Sequence, residues 1–155
     1  MEAKISFKLN GKNVSITTDP LRRLLDVLRE DMGCTGVKEG CSEGECGACS
    51  VMFNGKMVTP CLIPVGAADK QEIMTIEGVR ETELGARIVQ AFADGGAVQC
   101  GFCIPGMVIA AYNLLQDNSN PTDDEIRLAI SGNICRCTGY DLIVESIKLA
   151  AGRAK

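Results

Sequence analysis

Lys38-Glu39-Gly40-Cys41-Ser42-Glu43-Gly44-Glu45-Cys46-Gly47-Ala48-Cys49 is the stretch on which the reading of this chain turns. It has neither the two-residue alternation of a strand nor the apolar spacing of a helix. The silence of both periods extends from Gly33 to Ser50, and a loop of that length inside a compact protein is usually functional. Three thiols within it follow C-x4-C-x2-C, and Cys61 supplies a fourth. Gly40, Gly44 and Gly47 lie among them. Without a Cβ these glycines are expected to take positive φ and to turn successive N–H groups inward, making a concave nest for an anionic group.

Thiolates at this spacing suit a plant-type 2Fe-2S cluster on Cys41, Cys46, Cys49 and Cys61. The competing reading is a zinc knuckle, for which C-x2-C would suffice, but zinc needs neither the x4 spacing nor this density of glycine. Composition narrows the chemistry further. The 155 residues include no histidine and no tryptophan, which removes Cys-His zinc sites, Rieske centres, histidine-ligated haem and the commonest general base. Nine cysteines, an odd number, read better as metal ligands or redox thiols than as a disulfide framework. Residues 1–7 run straight into a strand pattern without the apolar core of a signal peptide, so a cytoplasmic, reducing setting is expected. A net charge of −4 with interspersed signs offers no basic stripe for nucleic acid. The apolar run 104–115 is broken by Pro105, Gly106 and Asn113, so no membrane span is expected.

Outward from the loop, the chain divides into two patterns. Ile5, Phe7 and Leu9 alternate, Asn10-Gly11 marks a tight turn, and Val14 and Ile16 return. Asp19-Pro20 is expected to open a helix, with Leu21, Leu24, Leu25 and Leu28 on its buried face. Residues 51–53, Asn54-Gly55 and 57–58 form a second hairpin signal, and 71–76 a closing strand. After Gly78 four helices are expected. Leu84, Ile88 and Phe92 mark the first, and Ile104, Met107, Val108, Ala111 and Leu115 the second. Thr122 and Glu125 form a capping box ahead of the third, and Leu142, Ile143, Ile147 and Ala150 mark the last. The fold class is therefore α+β, with units at 1–77 and 78–155.

Each helix pair of the second unit encloses a cysteine pair, Cys100/Cys103 in one and Cys135/Cys137 in the other. Alone, C-x2-C with C-x-C leaves a cluster evenly matched against a zinc site or a redox dithiol. Beside the first motif, with Gly101 and Gly139 flanking, a second cluster is the better reading, and the C-x2-C-x2-C-x3-C-P run of 4Fe-4S proteins is absent. No G-x-G and no G-K-[ST] occur, so neither a dinucleotide fingerprint nor a P-loop is present.

The segment 38–49 quoted above, Gly96-Ala97-Val98-Gln99-Cys100-Gly101-Phe102-Cys103-Ile104-Pro105-Gly106 and Ser131-Gly132-Asn133-Ile134-Cys135-Arg136-Cys137-Thr138-Gly139-Tyr140 together resemble the small iron-sulfur subunit of molybdenum hydroxylases. That family includes xanthine, nicotinate and carbon monoxide dehydrogenases and aldehyde oxidoreductases. The resemblance covers nearly the whole chain. It implies a β-grasp ferredoxin-like domain holding one 2Fe-2S cluster on Cys41, Cys46, Cys49 and Cys61. An all-α four-helix bundle domain would hold the other on Cys100, Cys103, Cys135 and Cys137. It further implies a large subunit with molybdopterin, as the cytosine dinucleotide, and a medium subunit with FAD. Gln99 would then hydrogen-bond the pterin, and Cys137 would sit on the cofactor side of its cluster. Purine, N-heterocycle or aldehyde hydroxylation is the expected service. A free-standing ferredoxin-type carrier and a zinc-stabilised interaction module are the alternatives.

Around these sites, Cys34 is expected to be a small buried hydrophobe. Asn133 and Thr138 are expected to satisfy loop backbone groups. Arg136 either offsets cluster charge or forms a surface ion pair. Glu39, Glu43 and Glu45 are expected to be a solvated acidic face.

Overall fold

Both Asn-Gly pairs do what their chemistry suggests. β1 (Ala3–Leu9) and β2 (Lys12–Thr18) pair antiparallel through Asn10 at φ 49° and Gly11 at φ 80°. β3 (Val51–Phe53) and β4 (Lys56–Val58) do the same through Asn54 at φ 50° and Gly55 at φ 80°. Left-handed conformation at both central residues matches the strand twist, which is why Asn-Gly is favoured there. In this computed structural model, which describes residues 1–152, β5 (Glu72–Met74) closes the sheet. The last three residues of the expected second unit lie outside the described residues.

The sheet order is β2-β1-β5-β3-β4, with β5 parallel to β1 and antiparallel to β3. The closing strand is shorter than the expected 71–76, because Ile76 already belongs to the short helix α2 (Ile76–Val79). Beneath the sheet lies α1 (Leu24–Asp26), which continues as a π-helical turn over Val27–Asp31. Leu24, Leu25, Val27 and Leu28 are fully buried there against Ile5, Phe7, Val51 and Ile73.

The start of this helix departs from expectation. Leu21 is 79 % exposed, and Asp19 accepts the N–H of Leu21 in a tight turn rather than capping a helix. Arg23 is extended and bridges antiparallel to Pro64, while Leu24 N–H donates to the Ile63 carbonyl and Val65 N–H to the Arg22 carbonyl. Those groups cannot also serve a helix, so it begins only at Leu24.

The four expected helices are α3 (Glu83–Asp94), α4 (Ile104–Asp117), α5 (Asp123–Ala129) and α6 (Asp141–Ala150). α3 packs on α4, α4 on α5, α5 on α6, and α6 back on α3, closing the bundle. The capping box is present: Thr122 Oγ1 accepts from Glu125 N, and Glu125 Oε2 accepts from Thr122 N. Phe92, Met107, Ile109, Ile126, Ile143 and Ile147 fill the core, each stabilising the bundle by about 1.5–3 kcal/mol. Met52 of β3 is buried in this helical core. Asn113 of α4 accepts the Met57 N–H at 3.1 Å, so sheet and bundle share both an apolar and a polar contact. The architecture is α+β: a β-grasp sheet and helix, then an all-α four-helix bundle.

Candidate metal centres

Cys41 and Cys46 stand on the loop between α1 and β3, Cys49 just before β3, and Cys61 on the 3-10 turn Pro60–Leu62. Cys49 and Cys61 are buried, whereas Cys41 and Cys46 are half-buried. Gly44 (φ 77°) and Gly47 (φ 66°) take the left-handed conformation expected of them. Gly40 does not; it is needed for space, since a Cβ there would stand 2.8 Å from Cys46 Sγ. The further left-handed residue is Ser42, at φ 60°, whose hydroxyl donates to Glu39 Oε1 at 2.7 Å. The result is an inward-turned backbone in which Glu43 N and Cys46 N both donate to Cys41 Sγ at 3.4 Å. Those N–H groups, Glu43 first and Cys46 next, bring the Cys41 thiol down to about 7. Burial pushes the Cys49 thiol up to about 12.

The second set is carried by the connections of the helical bundle. Cys100 and Cys103 lie between α3 and α4, with Cys103 immediately before the first residue of α4; Cys135 and Cys137 lie between α5 and α6. Cys103 and Cys135 are buried, and Cys100 and Cys137 are exposed. Burial drives the Cys103 thiol up to about 12. For Cys135 burial also acts upward, but the Thr138 hydroxyl at 3.1 Å and the N–H groups of Cys137 and Thr138 outweigh it, so its thiol is lowered. Cys135 N–H is held by the Tyr140 hydroxyl at 2.9 Å. Tyr140 itself adopts φ 72° to enter α6, and its N–H donates to Thr138 Oγ1.

All eight thiols gather in pairs. Cys41 meets Cys46, Cys49 meets Cys61, Cys103 meets Cys135, and Cys100 meets Cys137. Within each set the pairs also touch electrostatically, Cys49 with Cys46 and Cys103 with Cys100. A 2Fe-2S cluster asks for two protein thiolates on each of two irons. Two pairs per set fit that demand, and a cleft of about 350 Å³ lined by Cys41, Cys46, Cys100, Cys103, Cys135 and Cys137 opens onto both sets. Thiols near 12 bind metal only after losing their protons, so loading either set releases protons.

Cys34 is buried in the sheet core beside Thr75, Glu77 and the Met32 carbonyl, and burial raises its thiol. Gln99 is exposed, next to Cys100. Arg136 is exposed and lines the shared cleft. Glu39 pairs with Arg23 at 2.8 Å, while Glu43 and Glu45 face solvent. Thr138 serves its own loop, as expected.

Asn133 does more than expected: its Nδ2 donates not within its loop but to the carbonyl of Gly47, across 86 positions of sequence. Ile134 N–H donates to the Cys46 carbonyl at 2.9 Å. The two thiol sets are thus joined directly, backbone to backbone. Only the length and glycine content of the 131–139 loop hinted at a tertiary task.

Residues 7–76 match the family described as 2Fe-2S iron-sulfur cluster binding domain, and residues 75–148 match a [2Fe-2S] binding domain. The nicotinate dehydrogenase small FeS subunit of Eubacterium barkeri is 54 % identical over 96 % of this chain and 95 % of that protein. The nicotine 6-hydroxylase small subunit of Paenarthrobacter nicotinovorans is 39 % identical over 97 % of this chain and 90 % of its own length. Among solved structures, a chain of quinoline 2-oxidoreductase from Pseudomonas putida 86 superposes with a TM-score of 0.92 at 38 % identity, covering 97 % of this chain and 94 % of that one.

Proposed function

Because the chain belongs to the family of small iron-sulfur subunits of molybdenum hydroxylases, we propose that it is the electron relay of such a complex and makes or breaks no substrate bond itself. The observation that carries the proposal is that eight thiols pair off into two four-thiol sets that meet through one backbone contact. Cys41, Cys46, Cys49 and Cys61 would hold one 2Fe-2S cluster, and Cys100, Cys103, Cys135 and Cys137 the other. When bound, each cluster supplies storage for one electron at a time.

This chain's own groups do the rest. The N–H groups of Glu43 and Cys46 offset negative charge at Cys41, and the Thr138 hydroxyl does so at Cys135. The bundle core and the sheet fix the loops that carry the thiols. A relay of one-electron carriers needs its chemistry at both ends, so a large subunit holding molybdopterin and a medium subunit holding FAD complete the reading.

The molybdopterin side is assigned to the second set. Cys100 and Cys137 are exposed there, with Gln99 beside them and Val98, Phe102 and Ile134 forming an apolar rim, all about half exposed. The Gln99 carboxamide presents donor and acceptor together, as a planar heterocycle requires. Among the described residues no helix is long and apolar enough to cross a membrane. The reading also keeps the units at 1–77 and 78–155 and a cytoplasmic setting. The relatives named above act on nicotinate, nicotine and quinoline, which favours an N-heterocycle as the substrate of the complex.

The test is electron paramagnetic resonance of the dithionite-reduced, anaerobically purified protein with iron counted per chain. Two distinct 2Fe-2S signals and about four irons per chain are expected. A colourless, silent protein carrying zinc would overturn the relay and leave an interaction module.

A further inference from the structure

The contact between the two thiol sets is built tightly. Ile134 N–H donates to the Cys46 carbonyl at 2.9 Å, and Asn133 Nδ2 donates to the Gly47 carbonyl at 3.0 Å. Gly47 directly follows Cys46, and Ile134 directly precedes Cys135, so the first bond lies within one residue, and the second within two, of a cysteine of each set. The Gly47 carbonyl is also held from its own loop, accepting from Ser50 N at 3.1 Å and Ser50 Oγ at 2.8 Å. No slack remains around it. A Cβ on Gly47 would stand 2.5 Å from Asn133 Nδ2 and collide with the Gly132 carbonyl. A Cβ on Gly106, in the first turn of α4 just past Cys103, would collide with the Gly47 carbonyl oxygen and stand 3.1 Å from Asn133 Nδ2.

Asn133 is an expensive residue to place here. It is 3 % exposed, and its Oδ1 is buried without a hydrogen-bond partner among the described residues. Turning the amide over would set Oδ1 against the Gly47 carbonyl, acceptor against acceptor, so the neighbours fix its orientation. A buried polar group left half-satisfied costs stability, and a leucine of similar volume would avoid that cost. What the carboxamide supplies and leucine cannot is the donor that grips the other loop.

We propose that Asn133 is a positioning residue that, with Gly47 and Gly106, clamps the two thiol-bearing loops at a fixed separation and thereby sets the coupling between the two clusters. The proposal rests on the relay reading above. Spin–spin interaction between two reduced clusters splits their resonance lines, and the splitting falls with the inverse cube of their separation, so it reads the clamp directly.

The experiment compares the reduced holo-protein with three variants by electron paramagnetic resonance, with iron counted and hydrogen exchange followed in the peptide 131–136. Asn133→Leu keeps the volume and removes the donor; Gly106→Ala drives a wedge against Gly47. Both are expected to keep wild-type iron content, to lose part of the inter-cluster splitting, and to exchange about tenfold faster in 131–136. Ser50→Ala removes a bond to the same carbonyl from the ferredoxin side only, and is expected to keep the splitting. Unchanged splitting and exchange in Asn133→Leu would overturn the proposal. So would loss of a cluster from both Asn133→Leu and Gly106→Ala while Ser50→Ala keeps two, since that assigns the contact to cluster assembly. Absence of cluster signals in the wild-type protein would overturn the relay reading instead, a result distinguishable from either.

Discussion

Replacing Tyr140 by phenylalanine isolates one hydrogen bond at the second thiol set. The hydroxyl accepts the Cys135 N–H at 2.9 Å, and the ring stays in place in the variant, so no cavity is opened. What is lost is the partner of a part-buried donor, the backbone N–H of Cys135, itself a proposed iron ligand. Tyr140 also lines an open cleft with Arg127, Ile130, Ser131, Asn133 and Gly139. Water entering there can satisfy part of the freed N–H, which keeps the cost near the low end of the range, about 1.4 kcal/mol. That energy corresponds to a roughly tenfold larger population of the locally opened 135–140 loop. The assay is iron release to a chelator under native conditions, read separately for the two clusters by their resonance signals. When opening is fast and capture slow, the rate follows the open population, so helical-domain iron is expected to leave about tenfold faster. The ferredoxin-domain cluster is expected to keep its wild-type rate, and the melting temperature to fall by about 4 °C. Equal, unaltered release from both clusters would refute the claim that Tyr140 secures the Cys135 peptide.

Cys103→Ser is expected to abolish the helical-domain signal and to stop electron flow from substrate to flavin in the assembled complex, with the ferredoxin-domain signal retained; surviving turnover with the natural acceptor would refute the relay. Gly40→Ala is expected to do the reverse at the cluster level, because its Cβ would press on Cys46 Sγ at 2.8 Å; iron counting and the surviving signal tell the two apart. Cys34 is expected to resist alkylation at pH 8 in the holo-protein. Burial raises its thiol above the ordinary value, so the reactive thiolate is scarcer than in a free cysteine and gains only as pH rises further. Cys34→Ala is expected to leave both cluster signals intact, and loss of either in resonance spectra would count against its assignment as packing.

Much of this molecule was legible where the causes are local. Asn10-Gly11 and Asn54-Gly55 fixed two hairpins because their backbone preference is intrinsic, and Thr122 with Glu125 announced α5 because a capping box closes within one turn. The start of α1 was not legible. Asp19-Pro20 has the right chemistry for a cap, but residues 22–24 are captured by Ile63, Pro64 and Val65, partners far along the chain. Gly40 was read as a turn glycine when it is needed for clearance from Cys46, a distinction between conformation and space that composition cannot draw.

By itself the sequence determined the chemistry: which residue types could hold metal, that thiolate must dominate, and that Cys41, Cys46, Cys49 and Cys61 follow a plant-type cluster spacing. Those properties travel with the residues and their separation along the chain. The tertiary structure alone decided how thiols from distant elements pair, Cys49 with Cys61 and Cys103 with Cys135, and that the two loops lock together through Gly47, Asn133 and Ile134. Such contacts arise from the packing of sheet on bundle, where Met52 enters the helical core, and packing between distant segments leaves no periodic trace in the chain.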